Sequence, residues 1–157
     1  MDTRGRNTMT EISIVTVEEL PLLAARTSAN FTEVPAKLLP LMERVGAFVR
    51  DHGVEGAGRD VWFYRDVSGS QMEVDVGIQV PASTEAADGL VRSATPAGRC
   101  AHAVLHGDYS EIPRVHQAIH RWCAEQNLVL AGPCWEIYGD WHDDPAKRRT
   151  DMYHLLA

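Results

Sequence analysis

Two short segments carry the residues best suited to chemistry. Val61 to Asp66 holds Trp62 and Tyr64, and Pro133 to Asp140 holds Glu136 and Tyr138. Side chains alternate along a strand, so Trp62 and Tyr64 share one face, as do Glu136 and Tyr138. A carboxylate walled by Trp and Tyr is partly desolvated, so it either holds a cation or rises in pKa. Each aromatic face adds about 0.5–2 kcal/mol of attraction for a positive ligand. The plainer alternatives are core packing for the two aromatics and a solvated carboxylate on an exposed sheet face for Glu136. Val61, Phe63, Trp135 and Ile137 take the other face, which is expected to meet the helices.

Histidine and cysteine offer less. His116 and His120 stand four apart in a helical stretch, and His102 and His106 repeat that spacing in a strand. A helical pair can hold zinc, but no third ligand stands at a recognisable spacing, so solvated or capping histidines are expected and no metal. Cys100, Cys123 and Cys134 lack metal-type or redox-type spacing and read as small buried hydrophobes. No phosphate loop, nucleophile elbow or Ser-His-Asp order is present, and no cofactor is expected. Lys147-Arg148-Arg149 reads as a solvated turn.

The elements that must position these groups follow from periodicity. Ile12 through Leu23 reads as a strand bent at Pro21. Thr32 is expected to cap a helix with Pro35 in its first turn, along the stripe Val34, Leu38, Leu41, Met42, Val45, Phe48 and Val49. Pro40 means that this helix is either kinked or starts later. Met72, Val74, Val76, Ile78 and Val80 alternate with Glu73, Asp75, Gly77 and Gln79. This predicts an antiparallel strand with one face in the core and the other toward solvent or ligand. Glu73 and Asp75 would then add to a negative field. Farther on, Ala97 to Leu105 reads as a strand, and Ser110 as the cap of a helix with stripe Ile112, Val115, Ala118, Ile119, Trp122 and Cys123. Thr150 to Leu156 is the final strand.

The two halves keep register. Thr32-Glu33-Val34-Pro35 returns as Ser110-Glu111-Ile112-Pro113, a shift of 78, and Gly58 and Asp66 return as Gly132 and Asp140, a shift of 74. This predicts an α+β fold of two strand-helix-strand-strand repeats, about 11–81 and 91–157. A pseudo-two-fold axis would relate them, with an antiparallel sheet, two main helices and a central cleft. The same shift sets Trp62 against Glu136 and Tyr64 against Tyr138.

Composition narrows the partners. With 157 residues, 45% hydrophobic and 24% charged, the chain suits one soluble domain, preceded by a disordered leader over 1–10. A formal charge of -7 argues against nonspecific nucleic-acid binding. No apolar run suits a membrane span, and three unpatterned cysteines suit the cytoplasm.

Ala97-Gly98-Arg99 through His106-Gly107-Asp108-Tyr109, then Gly132-Pro133-Cys134-Trp135-Glu136-Ile137-Tyr138, then Thr150-Asp151-Met152-Tyr153, together resemble the GyrI-like family. This family includes effector-binding domains of AraC-type and MerR-type regulators. The resemblance covers about residues 11–156. It implies a cleft for lipophilic, often cationic, small molecules, with the family's acidic residue matched by Glu136, its turn tyrosine by Tyr109 and its last-strand aromatic by Tyr153. It also implies two other functions: hydrolysis of strained electrophilic compounds, with Glu136 as the catalytic group, and modulation of a protein such as gyrase. The regulators' DNA-binding domain has no counterpart in these residues. A homodimer is left open.

Overall fold

Eight strands and two helices build the chain, described here for residues 10–157 of a computed structural model. The expected leader falls almost wholly outside the described residues. The strands are β1 (Ile12–Val17), β2 (Leu20–Asn30), β3 (Asp60–Ser68), β4 (Gln71–Gln79), β5 (Val91–Thr95), β6 (Gly98–His106), β7 (Leu130–Tyr138) and β8 (Arg149–Leu156). The helices are α1 (Leu39–Asp51) and α2 (Ile112–Glu125). All strands join one antiparallel sheet in the order β1-β6-β8-β7-β3-β4-β2-β5. The α+β class and the antiparallel sheet with two helices are as the sequence predicts. Among the described residues, no helix is long and apolar enough to cross a membrane.

The predicted first strand is two strands. It breaks at the exposed pair Glu18-Glu19, not at Pro21, because consecutive carboxylates favour solvent over a sheet. Pro21 sits inside β2, where its carbonyl accepts from the Val80 N–H at 3.1 Å. β5, which the periodicity did not reveal, runs along the outer side of β2. The edge strands are exchanged: β1 precedes β2 in sequence but pairs with β6, while β5 precedes β6 but pairs with β2. The expected division at residues 81–91 therefore does not separate two sheets.

Both helices start later than their predicted caps. Asn30, not Thr32, caps a short 3₁₀ turn over Phe31–Glu33, with Glu33 returning a bond to the Asn30 N–H at 2.8 Å. α1 then begins at Leu39 with Pro40 in its first turn, where the missing N–H has no partner to lose. Asp108, not Ser110, caps the turn Tyr109–Glu111 that leads into α2, with Pro113 in the same first-turn position.

The helices also cover the opposite face from the one expected. Trp62, Tyr64, Val74 and Val76 pack with Leu38, Leu41 and Met42 around α1. Ala103, Leu105 and Met152 pack with Val115, Ile119 and Cys123 of α2. The other face gathers Leu22, Val61, Phe63, Cys100 and Trp135 with Val15, Val17, Ile137, Tyr153 and Leu155, and no helix residue belongs to that cluster.

β4 departs from the expected alternation because this second face is also buried. Asp75 is fully buried and accepts from Arg26 Nε (2.8 Å), Arg65 Nε (3.0 Å) and Ser93 Oγ (2.6 Å). Burial raises its pKa, but the bonds from Arg26 and Ser93 and the charge of Arg65 outweigh this and hold it below the usual range. Gly77 is the other reason β4 fits. A Cβ there would stand 2.8 Å from the Leu23 carbonyl oxygen and 3.1 Å from Ala24 Cβ. Gly77→Ala should therefore force β2 and β4 apart and cost about 1–3 kcal/mol, read as a lower urea midpoint at unchanged slope.

Candidate functional site

The β3–β7 ladder joins the two halves of the sheet, and Trp62 and Glu136 are direct partners in it. The sequence register set Trp62 against Glu136, and the two pair; it also set Tyr64 against Tyr138, but the ladder is antiparallel, so Tyr64 pairs with Cys134 instead. The Trp62–Glu136 pair lies on the helix face, between α1 and α2. Glu136 is only 2% exposed and Trp62 only 4%, so the carboxylate is buried and not solvated.

Glu136 takes its partners from three elements. The Tyr64 hydroxyl donates to Oε1 at 3.3 Å, and the Tyr138 hydroxyl donates to the same oxygen. His116, from α2, places Nε2 2.6 Å from Oε2. Burial first, and then the Glu136 charge, pushes both tyrosine hydroxyls well above the usual range, so both remain protonated donors. His116 Nδ1 in turn meets His154 Nε2 of β8 at 2.8 Å. Burial, reinforced by His116 and His120, pushes His154 down to about 2, which keeps it neutral. Burial, then Glu136, drives the Cys134 thiol far above its ordinary range. A buried carboxylate held by two phenols and an imidazole can neutralise a cation or move a proton through His116.

An aromatic path leads outward from this carboxylate. Trp62 meets Tyr138 edge-on at 5.4 Å, and Tyr138 meets Tyr109 at 5.8 Å. Tyr109 adjoins Trp141 at 6.4 Å, and Arg148 lies over both, 3.9 Å from the Trp141 ring centre and 5.2 Å from that of Tyr109. Arg148 is thus a stacked cation rather than part of a solvated turn.

The fold brings together Glu136, Trp62, Tyr64, Tyr138 and Tyr109, but not Tyr153. Met152 is the β8 partner of Glu136, so the next residue, Tyr153, must point to the opposite face. There it stacks on Trp135 at 5.5 Å and His102 at 4.6 Å, beside an open depression of about 400 Å³ lined by Arg59, Ile137, Arg149 and Asp151. Glu73 and Asp75 also lie away from Glu136. Asp75 is neutralised as described, and Glu73 accepts from Ser28 Oγ at 2.8 and 2.9 Å.

His116 and His154 were missed as site residues, although both left a signal. His154 alternates with Met152 and Leu156 in the buried row of β8. His116 adjoins Val115 on the buried stripe of α2.

Residues 10–156 match the GyrI-like small molecule binding domain. The chain belongs to that family. No curated protein matches it. The fold is similar to the crystal structure of the EcmrR C-terminal domain, at 14% identity and TM-score 0.75 over 95% of this chain and 98% of that one. In the cryo-EM structure of the EcmrR–DNA complex, 98% of this chain covers 59% of that one, at 16% identity and TM-score 0.77. SAV2435 bound to tetraphenylphosphonium matches at 12% identity and TM-score 0.67, over 94% of each chain. A hydrolase from Listeria innocua matches at 12% identity and TM-score 0.61, over 94% of this chain and 92% of that one.

Beside Tyr153, His102 Nε2 lies 2.8 Å from Asp151 Oδ2, and Arg149 Nε lies 2.7 Å from Asp151 Oδ1. Burial raises the Asp151 pKa, but the bonds from His102 and Arg149 outweigh it and bring it down to about 2, against 3.8 unperturbed. A depressed carboxylate stabilises the fold above its unfolded pKa, and this contribution is lost as pH falls from 3.8 toward about 2. Asp151→Asn should therefore flatten the acid limb of stability in that window, measured as urea midpoints at successive pH values.

Proposed function

We propose that this GyrI-like domain binds a lipophilic cation over the β3–β7 seam, between α1 and α2. Glu136 supplies the counter-charge, and Trp62, Tyr64, Tyr138 and Tyr109 supply the walls. The observation that carries this reading is a contrast between two buried acids. Asp75 is neutralised by two guanidinium groups, whereas among the described residues no Arg or Lys bridges Glu136. A buried carboxylate without a fixed cation is costly, and a cationic ligand relieves that cost. The indole N–H of Trp62 is buried without a partner, which leaves a donor for a polar group on the ligand. Arg148 over Tyr109 and Trp141 supports the affinity of these outer rings for positive charge. Because Glu136 is 2% exposed, entry requires the aromatic path through Tyr109 and Tyr138 to open. The tetraphenylphosphonium bound to SAV2435 supplies a probe of the right class.

A second reading, hydrolysis of a strained electrophile, rests on the 2.6 Å contact between His116 and Glu136, a pair able to draw a proton from water. The Listeria innocua hydrolase of this fold supports it by analogy.

Calorimetric titration with tetraphenylphosphonium separates the outcomes. Glu136→Gln keeps the shape of the side chain and removes its charge. It should weaken binding at least about tenfold, or about 1.4 kcal/mol, while leaving the protein folded. Unchanged affinity sinks the assignment. Turnover of a cyclopropane-type compound, lost in Glu136→Ala, would favour the enzyme instead.

A further inference from the structure

A second group of donors lies directly behind Glu136. Cys134 and His154 are cross-strand neighbours on β7 and β8, and α2 lowers His116 onto them. One donor atom from each of His116, Cys134 and His154 lies within 4.8 Å of the others. We propose that these three side chains bind a thiophilic divalent ion of the Zn²⁺ class.

The donor set, one sulfur and two imidazole nitrogens, is the kind such ions select. The second shell is already in place. With Nδ1 of His116 on the metal, its Nε2–H points at Glu136 Oε2, 2.6 Å away, the carboxylate–histidine arrangement that orients a ligating imidazole. Charge also balances, since a Cys134 thiolate and the Glu136 carboxylate together offset a divalent ion where no Arg or Lys bridges Glu136 among the described residues. His116 Nδ1 and His154 Nε2, 2.8 Å apart, share one proton; once it moves, a small separation of the two rings lets both lone pairs bind the ion at about 2.0–2.1 Å. The thiol proton leaves to solvent as the sulfur pair binds the metal. The shared proton moves to the far nitrogen of His154, which stays a neutral imidazole, and nothing is oxidised or reduced. Three protein donors leave a fourth position for water or for His120, whose ring centre is 5.0 Å from that of His154. This inference shares Glu136 with the lipophilic-cation reading but needs no organic ligand, so the Co²⁺ titration and the tetraphenylphosphonium titration can fail separately.

Titration of the metal-stripped full chain with Co²⁺ tests it. Equimolar binding should produce thiolate-to-cobalt charge transfer and the intense visible bands of a tetrahedral site, both displaced by Zn²⁺. Cys134→Ser should abolish the charge transfer, while Cys100→Ser and Cys123→Ser keep it. His116→Gln, at a part-exposed helix position, should lose the tetrahedral bands, with circular dichroism reporting the fold of each variant. Glu136→Gln should keep the bands and weaken Zn²⁺ about 10–100-fold. A weak octahedral spectrum, or charge transfer that survives Cys134→Ser, overturns the site.

Discussion

The Glu136 carboxylate, sealed under α2 at the centre of the sheet, sets the terms for everything around it. Desolvating an acid costs several kcal/mol unless its oxygens are satisfied. Here the donors come from three separate elements: Tyr64 on β3, Tyr138 on β7 itself and His116 on α2. Satisfying this one side chain therefore ties the central ladder to a helix. Burial first, and then the Glu136 charge, keeps both phenols protonated, and His116 makes a further bond with His154.

The sheet carries a buried acid on each face, and the two are treated differently. Asp75 is held by guanidinium groups and a hydroxyl that belong permanently to the structure. Glu136 is held by two protonated phenols and an imidazole, none of which carries a permanent positive charge. The first arrangement makes a rigid support for β2, β3 and β4. The second leaves a buried carboxylate with no Arg or Lys bridge among the described residues, which is the basis of the proposed binding role.

Topology explains why the site is central. The β3–β7 ladder joins the fourth and fifth positions in the strand order of an open eight-stranded sheet whose edges are β1 and β5, so the seam lies at its middle. With both helices on one face, the seam lies in the valley between them. The other face is closed by strand side chains alone, which demands the small residue at Gly77 and the neutralised Asp75.

The two helices and most of the strands were legible in the sequence, because helical spacing and alternation are local properties, whereas the break between β1 and β2 and the short edge strand β5 were not. Nor were the exact helix starts. Asn30 and Asp108 outcompeted Thr32 and Ser110 for the capping bonds, a choice made by turn geometry. Which face the helices cover could not be read from alternation, because period two separates two faces without saying which one is roofed. Tyr153 rested on the resemblance alone, and the β7–β8 register, which sets Met152 opposite Glu136, places it on the other face. The partnership of His116 with Glu136 and His154 spans a helix and two strands, and only packing could bring them within hydrogen-bonding distance. The sequence by itself determined the two helices, most of the strands and the acidic residue among aromatics. The tertiary structure alone decided that this acid is buried, because burial depends on what a distant helix brings to cover it.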